Sequence, residues 1–416
     1  MLYINDDYFT SEDVEALFCT FDQLDALKKC SNQRIGVCLT HPFHFISLSL
    51  YIKEKGGSLA PIHPSTPKEA ALRQAEKASC HLLLYGSLEE VIYLPNDLEE
   101  QSGVLVQMSS GTTGEPKCIE RSWQSIEEEL DSYVRQLPFG VDVTPLITCP
   151  ITHSFGLISG VLAALKRNVE PVIITNLYPH YTINKCKEYP KHVLYGSPTF
   201  IHTLVQLLPS KQRIHAVMTS GMFFPDSWFS LLHRASTHVY QQYGCSEVGC
   251  ISIHPDVSHP SEMGLPLSHL IVETGKQEQP KEIVVQLGRT VVYTKDIGYV
   301  NEDGLLCLLG RMDDMINVAG LNVYPQEVED VLLQEPRVEE AVVYKKADSF
   351  AGERVCVTFT ACERIDPIQL REWCKMRLAP HQIPIQFHQV DYIPTLPNGK
   401  ISRKLVKEME YESTRN

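Results

Sequence analysis

No uninterrupted apolar stretch in the sequence approaches the ~18 residues of a membrane span, so no transmembrane segment is expected. Positive charge is in short supply: 37 Lys and Arg face 51 Asp and Glu, a formal net charge of −14. That balance excludes a general binder of nucleic acid or of anionic membranes, while leaving room for a local basic phosphate site. Cysteine pairs at metal or redox spacing are missing as well. The 13 cysteines are an odd number scattered singly, so neither a disulfide framework nor a zinc site is indicated. Internal repeats and low-complexity linkers are absent. The opening Met1-Leu2-Tyr3-Ile4-Asn5-Asp6-Asp7 carries acids where a secretory signal carries positive charge. Reduced thiols and a cytoplasmic location are the resulting expectation.

What remains is 416 residues, too many for one ordinary domain and enough for two or three. With 43% hydrophobic and 21% charged residues, the chain has the profile of a packed globular protein. Between about residues 100 and 245, short apolar runs alternate with helical periods. Val104–Met108 reads as a buried strand; Trp123, Ile126, Leu130, Tyr133, Val134 and Leu137 then recur at helical spacing behind Ser122, a candidate N-cap. Strands are predicted at 146–149, 171–174, 192–195, 216–219 and 239–243, with helices around 157–165, 199–208 and 226–234. This alternation predicts a parallel sheet with covering helices. After Gly249 come short strand-like runs separated by Gly and Asp turns, and the last hundred residues read as a separate α+β unit. Its first helix follows Pro325, with acids in the opening turns.

One stretch stands out chemically: Ser109-Ser110-Gly111-Thr112-Thr113-Gly114-Glu115-Pro116-Lys117, directly after a buried strand. Glycines let backbone approach a ligand closely, four hydroxyls can donate to phosphate oxygens, and the lysine supplies charge. It is not a Walker A loop, because Gly111 and Gly114 are three apart and Pro116 precedes the lysine.

The order of residues in this loop resembles the phosphate-binding signature of the adenylate-forming superfamily of acyl-CoA synthetases, amino-acid adenylation domains and aryl-acid ligases. Four further stretches follow in that superfamily's order. They are Tyr243-Gly244-Cys245-Ser246-Glu247, Tyr293-Thr294-Lys295-Asp296-Ile297-Gly298, the run Gly310–Glu329, and Pro397-Asn398-Gly399-Lys400. The resemblance implies an α/β fold: a large N-terminal unit of parallel and mixed sheets with covering helices and a β-rich subdomain (1–311), then a small mobile α+β lid (312–416) pivoting at Asp313.

It also implies ATP and Mg²⁺ as ligands and a role for each matching residue. Ser109, Ser110, Gly111, Thr112, Thr113, Gly114 and Lys117 would hold the triphosphate, and Glu247 would bind the metal. Tyr243, Gly244, Ser220 and Gly221 would flank the adenine, with Ser246 near the α-phosphate. Asp296 would accept the ribose hydroxyls with Arg311 beside it, since a carboxylate suits a vicinal diol. Lys400 would contact the carboxylate and α-phosphate during adenylation, and Gly320 would approach the site in the second lid position. His153 and Ser154 would border the acid substrate.

The implied reaction joins a carboxylic acid to AMP with release of pyrophosphate, then passes the acyl group to a thiol. The carboxylate is already nucleophilic, so the site must supply charge neutralisation and in-line positioning rather than a general base. The thiol would belong to CoA or to a separate phosphopantetheinyl carrier protein. Two departures bear on substrate. Tyr51–Gly57 with Leu59-Ala60-Pro61 resembles a segment that lies well over a hundred residues into most members, so the first subdomain is abbreviated. In ligases for 2-hydroxybenzoates, asparagine usually follows the pocket histidine; here Ser154 does, which leaves room for other aryl acids. The compact length is similar to that of 3,4-dihydroxybenzoate ligases of petrobactin siderophore assembly. A CoA ligase for another acid, a nucleotide-binding regulator without turnover, or a phosphoryl-transfer enzyme remain the alternatives.

Overall fold

The structure is a computed structural model and describes residues 1–96, 102–109, 117–221, 224, 226–319, 321–348, 352–394, 401 and 403–413. The largest sheet among these residues has 14 strands. Its parallel part runs, in spatial order, Leu2–Ile4, Val172–Ile173, Thr144–Ile147, His192–Gly196, Ile214–Thr219 and Ser236–Cys245. Side chains alternate between the two faces and both faces are covered, so most of these strands are rich in buried apolar residues on both faces. Leu146, Leu194 and Val217 meet helices Pro179–Glu188, Pro198–Gln206 and Asp226–Ala235 on one side. Ile147, Tyr195 and Met218 face the opposite layer, with helix Trp123–Gln136.

The predicted helix and its cap are present at Trp123: Ser122 Oγ accepts the backbone N–H of Ser125 at 3.1 Å. The helical stretch after Ser154 differs from the α-helix its periodicity suggests. Phe155–Leu162 forms π-helical turns before one α-turn at Ala163–Lys166. Gly160 sits so close to Ile147 there that an added Cβ would lie 2.9 Å from its Cδ1. Beyond Ser236–Cys245 the sheet continues antiparallel through Gly249–His254, Glu262–Pro266, Leu306–Arg311 and Thr290–Val300. The β-rich segment therefore extends the main sheet rather than standing apart from it.

The first hundred residues, short as they are, build a full layer. Strands Arg34–Leu39, Ser58–Pro61, Leu82–Gly86 and Val91–Tyr93 join Val104–Ser109 and Lys117–Ser122 in a six-stranded sheet. Helix Pro42–Glu54 buries Phe43, Phe45, Ile46, Leu48, Tyr51 and Ile52 in the same core as Ile147 and Tyr133. A third sheet of five strands begins at Ile316–Val318 and has its own core around Val343, Val357 and Phe359. Helices Pro325–Leu333 and Pro367–Lys375 contribute Val328, Leu332, Leu370 and Cys374 to that core, while Val406 of the final helix, Arg403–Ser413, belongs to a separate cluster with Val342 and Tyr344. All 13 cysteines are free thiols. No helix among the described residues is long and apolar enough to cross a membrane.

Candidate active site

Three parallel strands of the main sheet lead from their carboxyl ends to candidate residues. Thr144–Ile147 leads to His153 and Ser154, Ile214–Thr219 to Ser220 and Gly221, and Ser236–Cys245 carries Tyr243 and Gly244 ahead of Ser246 and Glu247. In α/β sheets the crevice outside the carboxyl ends of the strands is where ligands bind. His153 is exposed and Ser154 half-buried at the start of the π-helix. Gly221 has φ +94°, a conformation that favours glycine.

Tyr243, Asp296 and Arg311 form one connected group. Tyr243 Oη donates to Asp296 Oδ2 at 2.6 Å, and Arg311 Nη1 donates to Asp296 Oδ1 at 2.9 Å. Asp296 and Arg311 are register partners on adjacent antiparallel strands, Thr290–Val300 and Leu306–Arg311. Burial raises the Asp296 carboxyl above its ordinary range; the Tyr243 hydrogen bond and Arg311 oppose that rise, and the nearby charge of Glu247 adds to it. Burial and the adjacent Asp296 carboxylate likewise push the Tyr243 phenol up. The residue before Asp296, Lys295, has φ +61°. Its strained backbone is held on both sides, by Glu282 Oε1 accepting its N–H at 2.9 Å and by Met312 N–H donating to its carbonyl at 2.7 Å. Arg311 and Lys295 also reach Asp313 Oδ2, at 3.6 and 3.7 Å. The proposed pivot is thus in charge contact with the proposed ribose site.

Ser109 and Lys117 face each other as the last register pair of an antiparallel hairpin, Val104–Ser109 with Lys117–Ser122. Lys117 is exposed. Ser110, Gly111, Thr112, Thr113 and Gly114 lie outside the described residues, as do Gly320 and Lys400. Glu247 is exposed on the turn between Ser236–Cys245 and Gly249–His254, and makes no ion pair with a described cation. No cluster of three or more His, Cys, Asp or Glu among the described residues could hold a metal. One open carboxylate fits Mg²⁺, which is bound through one or two carboxylates plus substrate phosphates and waters.

A buried ion pair was not anticipated from sequence. Arg121 Nη2 meets Glu129 Oε2 at 2.6 Å, with both side chains at most 2% exposed. Glu129 Oε1 also accepts the backbone N–H of Cys250 at 2.7 Å. The pair thereby connects the strand that starts at Lys117 to the strand that follows Glu247. Gly249, at φ +81°, leaves it space: an added Cβ would lie 2.4 Å from both side chains. The signal was available, since Glu129 shares the helix face of Ile126, Leu130 and Tyr133, and an acid on a buried face requires a partner.

The chain matches the AMP-binding enzyme family over residues 61–286 and its C-terminal domain over residues 327–400. It belongs to the AMP-binding enzyme family. A Bacillus anthracis protein named 3,4-dihydroxybenzoate–[aryl-carrier protein] ligase is 39% identical over 414 residues, covering 98% of each chain. Among solved structures, ATP-bound MatB from Rhodopseudomonas palustris superposes with a TM-score of 0.85 at 18% identity, covering 97% of this chain and 94% of that one. O-succinylbenzoate coenzyme A synthetase (MenE) from Bacillus subtilis, in complex with ATP and magnesium ion, gives 0.83 at 20% identity, with 98% and 96% covered. These structures establish the fold: the large α/β unit of mixed sheets with a smaller C-terminal unit seen in adenylate-forming enzymes. This AMP-binding enzyme is an adenylate-forming ligase.

Proposed function

We propose that this ligase activates an aryl acid, 3,4-dihydroxybenzoate, as its acyl-adenylate and transfers it to the thiol of a separate aryl carrier protein for siderophore assembly, in the cytoplasm. The observation that carries this reading is the 39% identity to a 3,4-dihydroxybenzoate ligase across 98% of both chains, the compact first hundred residues included. Ser154, in place of the asparagine expected beside a 2-hydroxyl, supports an acid without that group. Thirteen free thiols suit a reducing compartment.

In this reading the Tyr243–Asp296–Arg311 group seats adenine and ribose. Tyr243 and Arg311 each occupy one lone-pair site of Asp296, and the remaining sites are open to a vicinal diol. The loop 109–117 and Lys117 grip the phosphates, while His153 and Ser154 border the aryl ring. Glu247 would hold magnesium, which would supply neutralisation of phosphate charge. Lys400 reaches the α-phosphate and substrate carboxylate in the first half-reaction, and rotation about Asp313 withdraws it for the second. The electron pair of the acid's carboxylate oxygen attacks the α-phosphorus, and the bond to pyrophosphate breaks. The thiol then attacks the mixed anhydride, and AMP leaves.

The test is ATP–pyrophosphate exchange across hydroxybenzoates and fatty acids, followed by thioester formation on carrier protein and on CoA. Exchange should be strongest with 3,4-dihydroxybenzoate, with AMP and pyrophosphate as products. Preference for an aliphatic acid or for CoA overturns the substrate or acceptor; ADP as product, or no turnover with any acid, overturns the chemistry.

A further inference from the structure

Glu247 stands in the middle of a short connection, Ser246-Glu247-Val248, between the register partners Cys245 and Gly249. Its side chain is exposed, so its direction is set mainly by the backbone at either end of the turn. At the entry, Gly244 packs so tightly on the returning strand that an added Cβ would lie 2.2 Å from the Gly249 carbonyl oxygen. Val248, next to Glu247, is buried in the main core. At the exit, the Cys250 N–H donates to Glu129 Oε1 at 2.7 Å. That last bond ties the turn to a different part of the molecule. Glu129 lies on helix Trp123–Gln136, whose N-cap Ser122 directly follows Arg121 in the strand led by Lys117.

For stability alone, a buried ion pair gains little over well-packed apolar residues of similar volume. This one is costlier than most, because Arg121 Nε and Nη1 are buried without a hydrogen-bond partner among the described residues. What the carboxylate supplies, and an apolar side chain cannot, is a directed acceptor for a backbone N–H. The acid in turn needs a cation beside it to stay ionised in the core, and Arg121 is that cation. We infer that Glu129 is the positioning residue for Glu247, with Arg121 as its counter-charge. Its hold on Cys250 fixes the turn that presents Glu247 and sets that turn relative to the hairpin carrying Lys117. This inference rests on the reading of Glu247 as the magnesium carboxylate.

Two double variants of the full chain separate the acceptor from the charge. Arg121→Met with Glu129→Leu removes both; Arg121→Met with Glu129→Gln removes the charges but leaves an amide oxygen for the Cys250 N–H. Each is made with Glu247 intact and with Glu247→Gln, and compared by thermal unfolding, by calorimetric titration of ATP with and without Mg²⁺, and by the Mg²⁺ concentration for half-maximal exchange. With Glu247 intact, the Met/Leu pair should raise the Mg²⁺ requirement about five-fold and lose a matching share of the affinity that Mg²⁺ adds to ATP binding. The Met/Gln pair should stay within about two-fold of the original chain, because the acceptor is restored. With Glu247→Gln the two pairs should behave alike, since a residue that acts through another has no effect once that other is removed. If the Met/Leu pair does not fold, Gly249→Ala, whose Cβ would press on both Arg121 and Glu129, should raise the Mg²⁺ requirement only while Glu247 is present. An unchanged requirement in the Met/Leu pair, an equal rise in both pairs, or a rise that persists with Glu247→Gln overturns the positioning role and leaves the magnesium reading intact. A Glu247→Gln chain with the original Mg²⁺ requirement overturns both.

Discussion

The phenol of Tyr243 and the carboxylate of Asp296, 53 residues apart in the chain, meet in a 2.6 Å hydrogen bond. The bond spends one acceptor site of a buried acid whose charge also has Arg311 as a partner. Removing the phenol leaves that carboxylate under-satisfied and free to turn. A hydrogen bond to a charged group contributes about 1.5–3 kcal/mol. Tyr243→Phe should therefore raise KM for ATP by about ten-fold, with kcat changed far less. Asp296→Ala, which removes the acceptor itself, should weaken nucleotide binding further. Steady-state exchange kinetics and calorimetric titration of nucleotide check both.

Arg121 and Glu129 lead to a stability prediction. Removing one partner of a buried pair strands the other charge, at about 3–5 kcal/mol, whereas apolar replacement of both can be nearly neutral. Glu129→Ala should lower Tm by about 10 °C. Arg121→Met with Glu129→Leu should recover most of the loss. Thermal denaturation of the two variants makes the comparison. A similar fall for both would mean that the hydrogen bond from Cys250 to Glu129, rather than the charge, is what the fold requires.

The parallel sheet was legible from the sequence because Leu146, Leu194 and Val217 lie in apolar runs of strand length separated by helical periods. Lys117, Tyr243 and Asp296 were singled out through their motif neighbours, and the structure joins two of them, Tyr243 and Asp296, in one hydrogen bond. Other features were hidden for physical reasons. The π-helical turns at Phe155–Leu162 keep an ordinary apolar composition, and their widening depends on how Gly160 packs on Ile147. The continuity of the main sheet into Glu262–Pro266 and Leu306–Arg311 depends on pairings over 40 residues apart, which local periodicity does not encode. The contacts of Arg403 are not encoded locally, because its partners Glu329 and Asp314 lie 74 and 89 residues away.

Asp330, on the first helix of the small unit, brings in pH. Burial pushes its carboxyl up to about 7; Asp226 of the large unit, Glu329 and Glu327 add to the rise, and the hydrogen bond from Gln326 opposes it. An acid that binds its proton more tightly in the fold than in the unfolded chain loses stability for the fold as pH rises through the interval between the two values. Here that interval runs from the ordinary 3.8 to about 7. Asp330→Asn should raise Tm by a few degrees at pH 8 and hardly at all at pH 4. Thermal unfolding across that range reads the difference, and a gain that is flat with pH would contradict the assignment.

Glu247 and Asp296 are coupled through charge, since the Glu247 carboxylate raises Asp296. Glu247 is exposed and has no described cation beside it, so on the proposed reading its counter-charge in the nucleotide complex would be magnesium on the phosphates. Glu247→Gln keeps the size and removes the charge. It should raise the Mg²⁺ concentration for half-maximal exchange by about ten-fold, the effect of losing one charge-assisted contact of about 1.4 kcal/mol, and leave KM for the acid unchanged. Chelation should abolish exchange in both proteins, with restoration on adding Mg²⁺. Because the negative charge that raises Asp296 is gone, the variant should also bind AMP without metal at least as well as the original chain. A magnesium dependence identical in the two proteins would remove Glu247 from the metal site, and weaker metal-free AMP binding would mean that its carboxylate serves the ribose pocket instead.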